Sequence, residues 1–203
     1  MNIKEKVRFN QPVPCMTGTY TNPHTGLMVW NGCRKWQCSD CGQRLEAKLA
    51  ELFESISNVF NYCMTVNLVG DKSASRENAS KLDLKPVLQW LRRNAELKEY
   101  LWCLGYGVRE GLHKHLALNL SYWSTDSLLH EIQQCVARSN LDLAVHVELI
   151  RNKDAWVNYL TTNYREAARV LSKDIHKKGC SKELFKHHCL TGARGEALAS
   201  LYS

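Results

Sequence analysis

Two histidines separated by one residue, His113 and His115, are the side chains whose type and spacing first suggest chemistry. They belong to residues 112–120, where polar and apolar residues alternate as they do along a β-strand with one face on a core. Side chains two residues apart on a strand point to the same face, so both imidazoles would lie on the polar face. Neighbouring imidazoles can bind one divalent ion. The motif therefore indicates a metal site.

Two tyrosines further along the chain, Tyr159 and Tyr164, offer a nucleophile. Both fall in a helical pattern over residues 153–174, and five residues of helix place them about 140° apart, so they cannot both face one site. Tyr164 shares its side with apolar residues such as Leu160, whereas Tyr159 shares its side with Asn163. We predict Tyr159 as the nucleophile and keep Tyr164 as the alternative; a plain packing role for both is the competing interpretation.

Nine cysteines are many for a chain in a reducing compartment, where clustered thiols indicate metal rather than disulfides. Cys33, Cys38 and Cys41 are tightly spaced, and Cys15 precedes them. Four thiolates complete a closed tetrahedral site that favours zinc. We therefore predict a structural Zn²⁺ site, with His24 as a substitute for Cys15. The competing interpretation is a set of free, buried thiols.

The charge of the chain is net positive, +7, and concentrated near the C-terminus. Between residues 165 and 194 there are eight Lys or Arg and three acids, 8 − 3 = +5. Such a face can bind a phosphate backbone by releasing counterions, although a solvated helix face has the same composition. A second group of histidines and cysteines (176, 180, 187, 188 and 189) matches no zinc module and is interpreted as basic surface. The predicted DNA-binding residues are Arg34, Lys35, Trp36, Arg165, Arg169, Lys173, Lys177 and Lys178.

Composition favours a folded protein away from membranes. Hydrophobic residues make up 44% of the chain, enough for a core. No run approaches the roughly 18 apolar residues of a membrane span, and residues 1–6 lack the apolar stretch of a secretory signal. We expect a cytoplasmic protein without a membrane partner.

Three regions follow from the patterns: a cysteine-rich zinc segment at 1–43, an α/β domain at 44–175 and a basic tail, partly helical, at 176–203. Residues 70–81 are predicted as a loop. The order helix-strand-helix-strand-strand-helix-strand-helix predicts an α+β fold, a four-stranded antiparallel sheet of ferredoxin-like or split β-α-β type with helices on one face. The predicted helices are 44–62, 83–100, 124–140 and 153–174, and the predicted strands are 63–69, 101–108, 112–120 and 141–150.

A threonine-containing strand at 64–68, then His113-x-His115 on the second strand of a hairpin, then tyrosines on the last helix resemble the HUH-class replication initiators. These act in rolling-circle replication of plasmids and small single-stranded DNA phages. The resemblance covers residues 44–172, and the cysteine cluster before the first helix is similar to phage-type members. It implies that the histidines hold Mg²⁺ or Mn²⁺ and that a tyrosine attacks DNA, leaving a 5′-phosphotyrosyl enzyme and a free 3′-OH.

The resemblance also implies partners: single-stranded DNA at a replication origin, in a bacterial or archaeal host, and a helicase from that host. A helicase would be a separate protein, because the chain has no phosphate-binding Gly-x4-Gly-Lys-Ser/Thr loop. A transposase or relaxase would use the same chemistry.

Three features depart from the family pattern. Lys114 stands between the histidines instead of an apolar residue. Three residues after the tyrosine, where a lysine is usual, Tyr159 has Thr162 and Tyr164 has Ala167. Gly105 and Gly107 occupy the partner strand where a third metal ligand is expected. A catalytically inactive, zinc-containing DNA-binding regulator of the same fold is therefore the alternative function. The candidate substitutes for the third ligand are Glu110, Glu148 and His146.

Overall fold

The computed structural model describes residues 19–21, 28–30, 35–121, 123–171, 177–181 and 184. The chain divides into two compact units, Met1–Lys48 and Leu49–Ser203. No helix in the described ranges is both long and apolar enough to cross a membrane.

The first unit contains a short antiparallel hairpin and the beginning of a helix. Strands β1 (Thr19–Thr21) and β2 (Met28–Trp30) pair along their whole length. Helix α1 (Ser39–Ile56) begins directly after Cys38, and the Gly42 N–H donates to the Cys38 carbonyl at 2.8 Å. The cysteine pair of the predicted zinc site therefore lies at the first turn of this helix.

The second unit has the α+β architecture that the sequence predicts. After the end of α1, its elements alternate between helices and the strands of one sheet. In chain order they are the 3₁₀ turn Ser57–Val59, β3 (Tyr62–Leu68), α2 (Arg76–Lys81), α3 (Lys85–Asn94), β4 (Glu99–Gly107), β5 (Gly111–Asn119), α4 (Thr125–Arg138), β6 (Leu143–Leu149), α5 (Lys153–Val170) and β7 (Lys178–Cys180).

The sheet has five strands in the order β6-β3-β5-β4-β7, and every neighbouring pair is antiparallel. Because β5 lies between β3 and β4, the connection through α2 and α3 is a split β-α-β unit. The prediction of four strands was wrong by one. The fifth strand, β7, comes from the segment predicted as a basic tail, and it pairs with the outer edge of β4.

The two faces of the sheet differ in chemistry because side chains alternate along each strand. The apolar face carries Tyr62, Met64 and Val66 from β3 and packs on α3 and α4 in the main core. The opposite face carries His113 and His115 together with Thr65 and Asn67, and it is covered by α5. We call it the histidine face. Helices therefore lie on both faces, and the expectation that one face is free of helices was wrong.

Local signals in the sequence explain where the helices around the histidine face begin. The Ser124 hydroxyl accepts a hydrogen bond from the Ser127 N–H at the start of α4. The Asn152 side chain does the same for the Ala155 N–H, at 3.0 Å, at the start of α5. Both are N-caps, which satisfy N–H groups that the helix itself leaves unpaired.

The helix predicted at 44–62 spans Ser39–Ile56 instead. Two further predictions differ from the structure for local reasons. The loop predicted at 70–81 contains the short helix α2, because the Ser75 hydroxyl caps it by accepting from the Asn78 N–H at 3.1 Å. The helix predicted at 83–100 ends at Asn94. Beyond it Glu96 adopts a left-handed conformation, φ +48°, which a helix cannot continue through.

Lys114, the residue between the histidines, projects to the apolar face. Its ammonium group donates to the Leu82 carbonyl and lies 4.6 Å from the centre of the Trp102 ring. Burial lowers the pKa of this lysine to about 8. Lys114, which stands where HUH-class initiators have an apolar residue, therefore belongs to the core side of the sheet and faces away from the histidine pair.

Replacing Lys114 by methionine should remove a pH dependence of stability. Between pH 8 and the ordinary lysine pKa of 10.5, the unfolded chain keeps a proton that the folded chain has lost. The free energy of unfolding of the wild type should therefore rise with pH there, by up to about 1.4 kcal/mol per pH unit from this group. Urea unfolding at several pH values measures the slope.

Lys114→Met should show a shallower slope, and the exposed Lys85→Met (82% side-chain exposure) is the matched control that keeps the wild-type slope. Equal slopes in wild type and Lys114→Met would contradict the burial of a charged group at this position.

Candidate metal and tyrosine site

The histidine pair lies in the centre of the sheet on β5. Both side chains are buried, at 2% exposure for His113 and 3% for His115. Their Nε2 atoms are 2.9 Å apart and the rings meet edge to face, with centroids 4.6 Å apart. The strand pattern therefore brings both imidazole nitrogens to one point.

The hydrogen bonds behind the rings fix which nitrogen of His113 carries the proton and leave two arrangements for His115. The Nδ1 atom of His113 is 2.9 Å from the Gly111 carbonyl, which can only accept, so Nδ1 carries the proton and Nε2 a lone pair. The Nδ1 atom of His115 is 3.1 Å from the Thr65 hydroxyl, which can donate or accept. His115 can thus donate from Nε2 to His113, or turn its own lone pair inward when a cation is present.

Gly105 makes room for the two rings. It lies opposite His113 on β4. A Cβ atom built there would overlap the His113 ring and come within 2.9 Å of His115 Nε2. HUH-class initiators have a metal ligand at the corresponding place, whereas here the packing of the two imidazoles requires a residue without a side chain.

Tyr159 lies on the same face as the histidines, in the middle of α5. Its ring centroid is 4.9 Å from that of His115, with the planes at 71°, and the side chain is 50% exposed. Tyr164 is buried, at 5% exposure, and Lys178 lies over its ring. The structure brings Tyr159 to the histidine pair and places Tyr164 in the protein interior.

Burial keeps both imidazoles neutral at physiological pH. It lowers the pKa of His115 to about 3, assisted by His113, and it lowers the pKa of His113 as well. Neutral rings offer nitrogen lone pairs, which is the form that binds metal ions.

Burial and the nearby carboxylates of Glu110 and Glu148 raise the pKa of the Tyr159 phenol, so the phenol keeps its proton at physiological pH. A phenol attacks as its phenolate. A positive charge near the histidines would offset these influences and favour the reactive form.

The histidine pair fits a divalent metal ion in part. Two nitrogens each about 2.1 Å from one ion and at a right angle would be about 3.0 Å apart, close to the observed separation. Among the described residues, however, no three His, Cys, Asp or Glu side chains lie close enough together to hold an ion. None of the three predicted substitutes for the third ligand, Glu110, Glu148 and His146, therefore forms such a group with His113 and His115.

A pocket of about 260 Å³ opens beside His115 and Tyr159, and a wider cleft of about 770 Å³ continues from it along β6. Trp156 lines both, and its buried indole N–H has no hydrogen-bond partner among the described residues. Cys63, also on the wall, donates to Glu148 at 3.4 Å, and burial raises its thiol pKa to about 12. The pocket thus carries donors and a carboxylate, but Cys63 is not a thiolate nucleophile.

Three functional candidates escaped the sequence analysis. Thr65 bonds His115, Trp156 lines the pocket, and the Asn163 side-chain amide donates to the Tyr159 carbonyl at 2.9 Å. Asn163 is four residues after Tyr159, one helical turn, and that spacing was the available signal.

The predicted zinc segment is described only around two of its cysteines. Cys38 and Cys41 are buried, at 3% and 0% exposure. A Cβ atom on Gly42 would lie 2.6 Å from the Trp36 carbonyl, so glycine permits the tight turn there. Cys15, His24, Cys33, His176, His187, His188 and Cys189 lie outside the described residues.

The predicted DNA-binding residues occupy different environments. Lys35 is exposed and Trp36 half-buried. Arg165 and Arg169 both pair with Glu166, at 3.0 and 3.1 Å, which neutralises part of their charge. Lys178 is half-buried beneath α5, and burial lowers its pKa to about 8. Lys177 is half-buried next to β7, and Arg34 and Lys173 lie outside the described residues.

Comparison with protein-family models, with curated proteins and with solved structures finds no match for this chain.

Replacing Gly105 by alanine should displace the histidine pair. The added Cβ has no room unless the His113 ring moves, and overpacking of this kind costs about 1–3 kcal/mol. We expect a lower free energy of unfolding in urea, together with at least a tenfold weaker Mn²⁺ affinity by isothermal titration.

The matched control is Gly70→Ala, where a Cβ meets nothing within 4 Å but the backbone has φ +91°. Backbone strain should destabilise this variant without changing Mn²⁺ affinity. Wild-type Mn²⁺ affinity in Gly105→Ala would show that the glycine does not shape the pair.

Proposed function

We propose that this protein is a metal-dependent endonuclease and ligase that nicks single-stranded DNA at a replication origin and starts rolling-circle replication, with Tyr159 as nucleophile. One observation carries the proposal: the half-exposed Tyr159 ring lies 4.9 Å, centroid to centroid, from the ring of His115, which belongs to a buried histidine pair. The resemblance to HUH-class initiators supports the assignment of substrate and reaction.

In this reaction His113 and His115 would hold Mg²⁺ or Mn²⁺, which polarises the scissile phosphate and stabilises its charge. Imidazole nitrogen favours transition-metal ions, so Mn²⁺ suits the pair better than Mg²⁺. The Tyr159 phenolate attacks phosphorus and the bond to the 3′ oxygen breaks. The proton that the phenol releases passes through water to the 3′ oxygen, and the 5′ phosphate remains on the tyrosine. Attack by a 3′-OH on that linkage reverses the step and rejoins the strand.

The pocket beside Tyr159 would receive a nucleotide next to the scissile phosphate. A base or phosphate acceptor there would satisfy the buried Trp156 N–H. The wider cleft, which includes Arg151, gives room for the strand to continue. The net charge of +7 favours binding of the phosphate backbone. A host helicase would open the duplex.

A catalytically inactive DNA-binding regulator of the same fold is the second candidate function. It is favoured by the absence, within the described part of the chain, of a third His, Cys, Asp or Glu at the histidine pair. Thr162 in place of the usual lysine points the same way.

We further propose that Cys38 and Cys41 bind a structural Zn²⁺ together with Cys15 and Cys33. Two buried thiols one helical turn apart at the start of α1 suit two corners of a tetrahedral site. The ion would stabilise a segment too short and polar to fold on a core of its own.

The nuclease function predicts a covalent protein–DNA adduct. Labelled single-stranded DNA with a candidate origin, incubated with the protein and Mn²⁺, should give a species that survives denaturing electrophoresis. Tyr159→Phe should abolish it because the phenolic oxygen forms the bond, and His113→Ala should abolish it by removing a metal ligand. Tyr164→Phe should still form the adduct.

An adduct in Tyr159→Phe would overturn the assignment of the nucleophile. No adduct from wild type with any candidate origin, together with retained DNA binding, would favour the regulator.

The zinc site predicts about one Zn²⁺ per purified chain by elemental analysis. Cys38→Ser and Cys41→Ser should each lower the zinc content severalfold, since a structural site needs all its ligands. Cys135→Ser, which changes a buried cysteine of the main core, should keep it. Zinc-free wild-type protein that remains folded would refute the site.

A further inference from the structure

The pocket beside Tyr159 has a polar floor that two neighbouring strands provide. In the sheet register, Cys63 of β3 lies opposite Glu148 of β6. Thr65 lies opposite His146 in the same way, and all four side chains line the pocket. Polar groups on the wall of a pocket fix the orientation of a ligand and select it. A ligand of this pocket must therefore have hydrogen-bonding groups of its own.

The charge of the pocket favours a base over a phosphate. Among the described residues that line it, none is a lysine or an arginine, and the charged group is the carboxylate of Glu148. A carboxylate repels a phosphate, whereas it attracts the N–H groups of a neutral base. In the proposed reaction the scissile phosphate lies at the ion that the histidine pair would hold. The neighbouring base is then the part of the strand that suits the pocket.

Two groups in the wall have hydrogen-bonding capacity for such a base. The Oε1 atom of Glu148 accepts from the Cys63 thiol at 3.4 Å, and the second carboxylate oxygen, Oε2, is a further acceptor. Trp156 is 7% exposed, and its indole N–H has no hydrogen-bond partner among the described residues. A buried donor without an acceptor is costly, so an acceptor on the ligand would be favourable there. The wall thus offers one acceptor and one donor.

We infer that this pocket reads the base next to the scissile phosphate and selects a base with an exocyclic amino group, such as cytosine, over thymine. The inference rests on the proposed function, which brings single-stranded DNA to Tyr159. The amino group would donate to Glu148, a contact that acidic side chains make with the N4 amine of cytosine. An acceptor atom of the same base would accept from Trp156.

Thymine has a carbonyl oxygen at the position of that amine. The carbonyl would face the carboxylate of Glu148, and two acceptors cannot form a hydrogen bond with each other. Glu148 is therefore a specificity-determining residue in this account. Its carboxylate is held on the pocket floor by the Cys63 thiol and forms no three-residue metal-binding group with the two histidines.

The test measures the binding of short fluorescent single-stranded oligomers to the full chain by anisotropy, without divalent metal so that no strand is cut. Oligomers of deoxycytidine, deoxyuridine and thymidine are compared. Deoxyuridine has the carbonyl of thymidine but lacks its methyl group, so it isolates the effect of the amino group. Deoxycytidine should bind about fivefold more tightly than either of the others, which is the lower end of what one good base contact is worth.

Glu148→Gln should bring the three affinities to within about twofold of one another, because an amide can accept from the cytosine amine or donate to the carbonyl of the other two bases. The loss of a negative charge by itself would shift all three affinities equally. The matched control is Glu51→Gln, which removes the same charge from an exposed position of α1 and should keep the wild-type preference.

Deoxyuridine that binds as tightly as deoxycytidine would overturn the inference, because the methyl group of thymine would then decide the preference. An equal shift of all three affinities in Glu148→Gln would overturn it too, and so would a wild type that binds none of the oligomers.

The adduct assay separates the two proposals. A cytosine preference that Glu148→Gln removes, without any adduct from wild type, would leave the base-reading pocket standing and remove the nuclease. An adduct from wild type without any base preference would do the reverse.

Discussion

The contact between two imidazole nitrogens, His113 Nε2 and His115 Nε2 at 2.9 Å, constrains the rest of the site. Two rings can meet this closely in a buried place only if at least one of them is neutral, so that its nitrogen lone pair can accept from the other ring or bind a cation. The surrounding residues serve that condition: Gly105 leaves space, and the Thr65 hydroxyl can donate or accept behind His115. Burial, which would penalise a protonated ring, keeps the lone pairs available.

The same strand serves two purposes because its side chains alternate. His113 and His115 face α5 and the pocket, while Leu112, Lys114 and Leu116 face the main core. Because β5 is the central strand of five paired strands, the backbone that carries the two histidines is rigid. A functional site needs such rigid elements to hold its side chains in place. Tyr159 lies on a helix capped at its own start by Asn152, so its position is set locally as well.

What depends on local periodicity could be predicted from the sequence. The placement of both histidines on one face followed from alternation, and the outward position of Tyr159 followed from the helical repeat. What depends on distant parts of the chain could not. The three residues of β7 have no strand pattern of their own and pair with β4 some 75 residues earlier.

Strand β7 places part of the C-terminal segment over the outer edge of β4. It pairs with residues 101–103 of β4, whose backbone N–H and C=O groups would otherwise lie at an open sheet edge. Open edges invite pairing with other chains and aggregation. A chain shortened before residue 177 would therefore expose this edge of β4, whereas the histidine pair lies one strand further into the sheet, and the exposed edge would favour pairing with other chains.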